Sequence, residues 1–129
     1  MSNKFTVEII SPDQTVLKSE TSEVTIPAYE GQMGILRDHI PLITFLRPGF
    51  IIIKNEEEKK FYVEEGTVEF SNNNLLILTS SVKNFKNLNK DLINDLIEEA
   101  EKKYNDSNSS DKEKYIISYK IDTLKEINQ

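Results

Sequence analysis

Near residue 85 the spacing of apolar side chains changes from two to three or four, and no single element type accommodates both periods. Before that point the chain alternates. Phe5, Val7 and Ile9 are separated by Lys4, Thr6 and Glu8, and Val24 and Ile26 alternate with Glu23 and Thr25. Phe61 with Val63 and Val68 with Phe70 repeat the pattern. Side chains two apart share one face of a strand, so this spacing predicts strands with one face in a core. Turn signals divide them: Ser11-Pro12-Asp13, Pro48-Gly49, Asn55 with Glu56, Glu57 and Glu58, Glu65-Gly66, and Asn72-Asn73-Asn74. Two short apolar runs, Phe50 to Ile53 and Leu75 to Leu78, read as more fully buried strands. About ten short strands at this spacing predict a β sandwich over residues 1–84.

After the change, Leu92, Ile93, Leu96, Ile97, Ala100 and Tyr104 fall on one helical stripe, with Asp91, Asp95, Glu98 and Lys102 opposite. Residues 105–110 are polar and break the pattern, and Ser110 followed by Glu113 marks a new helix start. Ile117, Ile121 and Leu124, with Tyr115 and Tyr119, form the second stripe. Residues 85–129 are therefore expected to form an antiparallel helical hairpin. Two helices of about four turns are marginal alone in water. Their stripes must face each other, the sandwich or another protein, which makes the hairpin a plausible switch.

Composition closes several routes to function. The chain carries 22 acidic and 16 basic residues, a net charge of −6, with only Arg37 and Arg47 as arginines. Such a balance opposes binding to nucleic acid and to anionic membrane surfaces. There is no cysteine, so disulfides, thiolate metal sites and cysteine nucleophiles are excluded. No stretch has the ~20 apolar residues needed to span a bilayer, and the first residues lack the apolar block of a signal peptide. The expected location is cytosolic, with membrane contact only through partners. No phosphate-cradling Gly-Lys-Ser/Thr loop occurs, nor a spaced-carboxylate calcium loop. Catalytic residues, metal and cofactor are expected to be none.

One segment says more. It runs Pro27, Ala28, Tyr29, Glu30, Gly31, Gln32, Met33, Gly34, Ile35, Leu36, continues through Asp38, His39, Ile40, Pro41, Leu42, Ile43, Thr44, and ends in Arg47, Pro48, Gly49. With the opening Val7 to Pro12, the Gly66 turn and the 75–79 strand, it resembles the epsilon subunit of bacterial F-type ATP synthases, called delta in mitochondria. That family's signature is Glu-Gly, a variable residue, an apolar residue and Gly-Ile, then Gly-His-x-Pro-Leu-apolar-Thr, then Lys/Arg-Pro-Gly. The resemblance covers nearly all of the first 84 residues. It implies a non-catalytic central-stalk subunit, on the cytoplasmic face of the plasma membrane, that couples rotation of the c-ring through gamma to ATP synthesis. The coupling ion, proton or sodium, is set in the ring.

The resemblance also assigns residues. Glu30, Gly31, Gln32, Met33, Gly34 and His39 become a contact loop for the c-ring and gamma, and Met33, Ile35 and Leu36 candidate partner surface. Gly31 and Gly34 are expected to supply positive φ, and Pro41, Pro48, Gly49 and Gly66 to shape turns. In some family members the hairpin binds ATP through an Asp-x-x-Arg; the counterpart here is Asp95 with Glu98 in the arginine's place, which opposes nucleotide binding. In others the extended hairpin inhibits hydrolysis through basic residues that meet the catalytic alpha and beta subunits. Lys112, Lys114 and Lys120 would serve, but Asp111, Glu113 and Asp122 dilute them, so weak inhibition is expected. Two other readings compete: a free-standing ligand-binding β sandwich that dimerises through its hairpin, and a small hydrolase using Glu30, Asp38 and His39.

Overall fold

The computed structural model describes residues 3–127 and contains ten strands followed by two α-helices. The strands are β1 (Phe5–Ser11), β2 (Gln14–Thr21), β3 (Glu23–Ala28), β4 (Gly31–Leu36), β5 (Leu42–Leu46), β6 (Gly49–Lys54), β7 (Glu58–Val63), β8 (Gly66–Ser71), β9 (Asn74–Leu78) and β10 (Lys83–Asn84). They pair in the order β10-β7-β6-β3-β5-β8-β9-β1-β2, with β4 on β3. All pairs are antiparallel except β1 with β9.

β3 belongs to both halves of this curled sheet. Its first residues pair with β6 (Val24 opposite Ile53), whereas its last, Ala28, pairs with Leu46 of β5. The strand alternation then does what a period of two requires. Phe5, Val7 and Ile9, Val24 and Ile26, Ile51 and Ile53, Val68 and Phe70, and Leu75 and Ile77 all point into one core between the layers. At ~1.5–3 kcal/mol per buried side chain, this core dominates the stability of the strands.

Three turns explain why their residues were chosen. Asn72 and Asn73, at φ 50° and 59°, form the two-residue β8–β9 hairpin turn, a left-handed geometry that asparagine tolerates. Gly31 (φ 134°) follows the Tyr29-Glu30 turn between β3 and β4. Asp38 stands at φ 66°, where the family signature has glycine. Its N–H donates to Asn73 Oδ1 at 2.7 Å, and Asn73 Nδ2 donates back to its carboxylate at 3.0 Å. The paired bonds hold a conformation that costs a non-glycine residue energy.

The sequence expectations need correcting at several glycines and apolar positions. Gly34 does not have positive φ: it lies inside β4 opposite Thr25. Gly49 does not complete a turn either; it is the first residue of β6, and a Cβ there would stand 2.5 Å from Pro27 Cβ. Close packing, not conformation, requires it. At Gly66 both reasons apply: its φ is 157°, and a Cβ would approach the Leu78 carbonyl to 2.6 Å. Ile35 is fully buried in the core and Met33 packs against it, so of the three candidate partner positions only Leu36 is exposed.

After a 3₁₀ turn at Phe85–Asn87 come α1 (Lys90–Tyr104) and α2 (Asp111–Ile127). Asn89 caps α1 by accepting from the Leu92 N–H at 2.8 Å, and Ser110 Oγ accepts from the Glu113 N–H at 3.1 Å to start α2. The end of the expected second helix, Asn128 and Gln129, lies outside the described residues.

Candidate interaction surfaces

The two outer faces of the sandwich differ. On the first, the hairpin lies against β6 and β7. Tyr62 is fully buried there with Ile93 and Leu124, flanked by Phe50, Leu96, Ile97 and Ile127. This face of the sheet is apolar because the helices cover it.

Polar contacts fasten α2 along its length. Lys120 Nζ meets Glu64 Oε1 at 2.6 Å, with the side chains only 17% and 25% exposed. Thr123 Oγ1, which donates to the Tyr119 carbonyl of its own helix at 2.7 Å, lies 3.4 Å from the Pro48 carbonyl, and the Arg47 guanidinium stacks 4.0 Å from the Tyr119 ring centroid. Tyr119 in turn packs edge-on against Tyr115, their hydroxyls 3.0 Å apart. That hydrogen bond raises the pKa of the exposed Tyr115 above its ordinary value. One group is left over. The Tyr62 hydroxyl is buried without a hydrogen-bond partner among the described residues, and burial, helped by the nearby Glu64 charge, pushes its pKa far up.

The second outer face is bare. It is built from β5, β8, β9 and β1. Ile43 is 76% exposed and Phe45 57%, and Leu78 is also exposed. Register aligns them: Phe45 lies opposite Thr67, which lies opposite Leu78, which lies opposite Ile10. Tyr29, exposed on the β3–β4 turn, packs 6.4 Å from the Phe45 ring, and Ile40 extends the patch from the preceding loop. The neighbouring row on this face runs Ile43, Glu69, Leu76 and Glu8, so two carboxylates stand among the apolar side chains. Large exposed apolar side chains gathered on one sheet face mark an interaction site. Sequence reading missed it, although a signal was present. Leu42-Ile43-Thr44-Phe45-Leu46 places apolar groups on both faces of one strand, and only the even-numbered positions point inward.

The predicted contact loop is divided by the fold. Glu30 sits at one end of β4, its Oε2 accepting from Thr44 Oγ1 at 3.2 Å. His39 lies beyond the other end, with Nδ1 2.8 Å from the Ile40 carbonyl and its ring edge-on to Phe70. Gln32, Met33 and Gly34, between them, are strand residues opposite Pro27, Ile26 and Thr25. Pro41 precedes β5 and Pro48 is buried under α2.

In the hairpin, Asp95 is exposed and Glu98 pairs with Lys102 at 3.8 Å. Lys112 is exposed, Lys114 is half-buried near Tyr104, and Lys120 is held by Glu64. Among the described residues, no group of three or more histidine, cysteine or carboxylate side chains is placed to hold a metal. Among the same residues, no helix is long and apolar enough to cross a membrane.

Comparison with known proteins gives a consistent pattern. Residues 4–84 match the family model described as ATP synthase, Delta/Epsilon chain, beta-sandwich domain. The chain is 48% identical to the ATP synthase epsilon chain of Pelagibacter ubique over 99% of its own length and 100% of that protein. It is 30% identical to that of Parvibaculum lavamentivorans over 98% and 97%. Among solved structures, a chain of the Euglena gracilis mitochondrial ATP synthase OSCP/F1/c-ring assembly superimposes with a TM-score of 0.81 at 18% identity, over 100% of this chain and 84% of that one. A chain of the Tetrahymena thermophila mitochondrial ATP synthase central stalk/c-ring gives 0.68 at 16% identity, over 96% of each.

Proposed function

This chain belongs to the ATP synthase epsilon-chain family, and from that we propose that it serves as a non-catalytic central-stalk subunit of a bacterial F-type ATP synthase. It takes part in coupling c-ring rotation, through gamma, to ATP synthesis at sites on other subunits. Residues 1–84 grip the partners and residues 85–129 form an accessory hairpin. The subunit sits on the cytoplasmic face of the membrane and touches it only through the complex.

The observation that supports this role is the cluster of exposed apolar side chains on the bare face of β5, β8, β9 and β1, opposite a face the chain covers with its own helices. Gamma is its occupant. A part that transmits torque makes no bonds but must not slip, and a stable interface of that kind buries ~1,200–2,000 Å². Ile43, Phe45 and Leu78 are the anchors, with Ile40 and His39 at one border. In this reading the Tyr29-Glu30 turn, exposed at the other end of β4, meets the c-ring, its carboxylate against polar loops.

The test is capture of purified gamma by the chain, compared with the Ile43→Asp/Phe45→Asp pair. Each anchor buries ~1.5–3 kcal/mol of apolar surface on docking, so the double variant should lose about a hundredfold in affinity or more. Because both side chains are exposed, the isolated variant should melt like the parent. Unchanged capture would refute the assignment of this face. A chain that ignores gamma and purifies as a homodimer would instead favour the free-standing binding protein.

The docked hairpin bears on regulation. Lys120, one of the lysines that would serve inhibition by an extended hairpin, is paired with Glu64. Asp95 and Glu98 make no phosphate-binding arrangement with arginine, since residues 85–129 contain none. On this reading inhibition is weak, and Glu98 opposes nucleotide binding.

A further inference from the structure

The curled sheet closes at one corner and stays open at the other. The end of β2 meets the β6–β7 turn: Asn55 Nδ2 donates to the Glu20 carbonyl at 3.0 Å, and Thr21 Oγ1 to the Lys54 carbonyl at 2.6 Å. Moving along β2 toward Gln14, the edges diverge. The space between β2 and the β7–β10 edge is an open groove of about 1140 Å³, with Leu88 and Leu92 of the hairpin at its end.

The floor of this groove is apolar. Val16, Leu17 and Val82 pack on the core from within it, and Phe61 lies beneath. Val16 is reachable because register slips by one residue: Ile9 pairs with Leu17 but Ile10 with Thr15, so Val16 is bulged out of the ladder.

The rim has the opposite charge to the protein. Lys59, Lys60, Lys83 and Lys86 line it, against Asp13 and Glu58 alone, in a chain whose net charge is −6. Lys60 is committed, its Nζ 4.1 Å from the Phe50 centroid and 4.9 Å from Phe85. Among the described residues, no carboxylate forms an ion pair with Lys59, Lys83 or Lys86. Three exposed unpaired cations over an apolar slot fit a ligand with carboxylates spaced between apolar side chains.

We propose that this groove is a docking site for an acidic, amphipathic peptide segment of a partner protein. Its apolar side chains would enter between β2 and β10, and its carboxylates would meet Lys59, Lys83 and Lys86. None of the groove's lysines or floor residues is among the proposed gamma anchors, and the proposal does not depend on the stalk role. Loss of gamma capture with retained peptide binding, or the reverse, separates the two.

The experiment uses the full chain and a labelled twelve-residue peptide alternating glutamate and leucine, read by fluorescence anisotropy. A Lys59→Glu/Lys83→Glu/Lys86→Glu variant, whose changes are all at exposed positions, is checked for an unchanged melt. The peptide should bind, should weaken between low and moderate salt, and should lose about tenfold or more on the triple charge reversal. A glutamate–serine peptide should bind at least tenfold less tightly. No binding at millimolar peptide, equal binding by the glutamate–serine peptide, or indifference to the triple reversal would each overturn the site. So would lysine-dependent binding to phosphatidylglycerol vesicles without peptide binding, since the groove would then be reading headgroups.

Discussion

Replacing Leu124 by alanine should undock the hairpin and leave the sandwich folded. Leu124 is fully buried, and with Tyr62 and Ile93 it forms a small cluster separate from the main core. Its truncation removes three carbons from that cluster, and comparable changes cost ~2–5 kcal/mol once the residual cavity is included. The support available to the hairpin is of the same size. Ile93 and Leu124 contribute ~1.5–3 kcal/mol each, the half-buried neighbours less, and part of this offsets the ordering of two helices that are marginal alone. A loss of about 2–4 kcal/mol corresponds to about 30- to 700-fold in the docking constant. Native-state hydrogen exchange on the full chain would read it directly. Amides of α1 and α2 should lose protection by that factor, while those of β1, β3, β6 and β9 should hold theirs. Equal loss in both regions would mean one cooperative unit, and no loss in the helices would mean Leu124 does not hold them. Either result refutes the reasoning.

Tyr62→Phe removes a buried hydroxyl that has no partner, so denaturant stability should stay level or rise by about 1 kcal/mol; a fall of that size would reveal a missed bond. The same hydroxyl has a linkage consequence. Its folded pKa lies above the ordinary 10.0, so it adds no pH dependence to stability below pH 10. Stability should then fall by about 1.4 kcal/mol per unit above that, a slope absent from the phenylalanine variant in alkaline melts. Gly49→Ala should cost about 1–3 kcal/mol because its Cβ meets Pro27. Gly34→Ala, with only Glu23 Oε1 at 3.9 Å, should be tolerated or slightly stabilising, and paired thermal melts distinguish the two. Glu30→Lys should lower proton-driven ATP synthesis in reconstituted vesicles without weakening gamma capture; normal synthesis would remove the turn from the ring contact.

Much of this was legible because local periods are a backbone property. Alternation identified β1, β3, β7 and β8, the helical stripes identified α1 and α2, and Ser110 with Glu113 marked the second start. Where the chain satisfied a demand imposed from far away, reading failed. β2, with Val16 and Leu17 adjacent, does not alternate because a bulge turns both inward. Gly49 is small because Pro27, 22 positions earlier, presses on it, and no window around Pro48 reveals that. Ile35 looked like partner surface because its neighbours are glycine and leucine, yet β4 pairing turns it into the core. The bare face was hidden differently. A strand apolar on both sides resembles a strand buried on both sides, and only the position of the helices distinguishes them.

The forked pairing of β3 has a mechanical meaning. A push on Phe45 need not cross a side-chain interface to reach the layer beneath α2, because Ala28 and Val24 are joined by the same covalent backbone. Two sheets that share a beam resist shear better than two that merely rest on each other. If twisting force enters through one wall, the other wall turns with it.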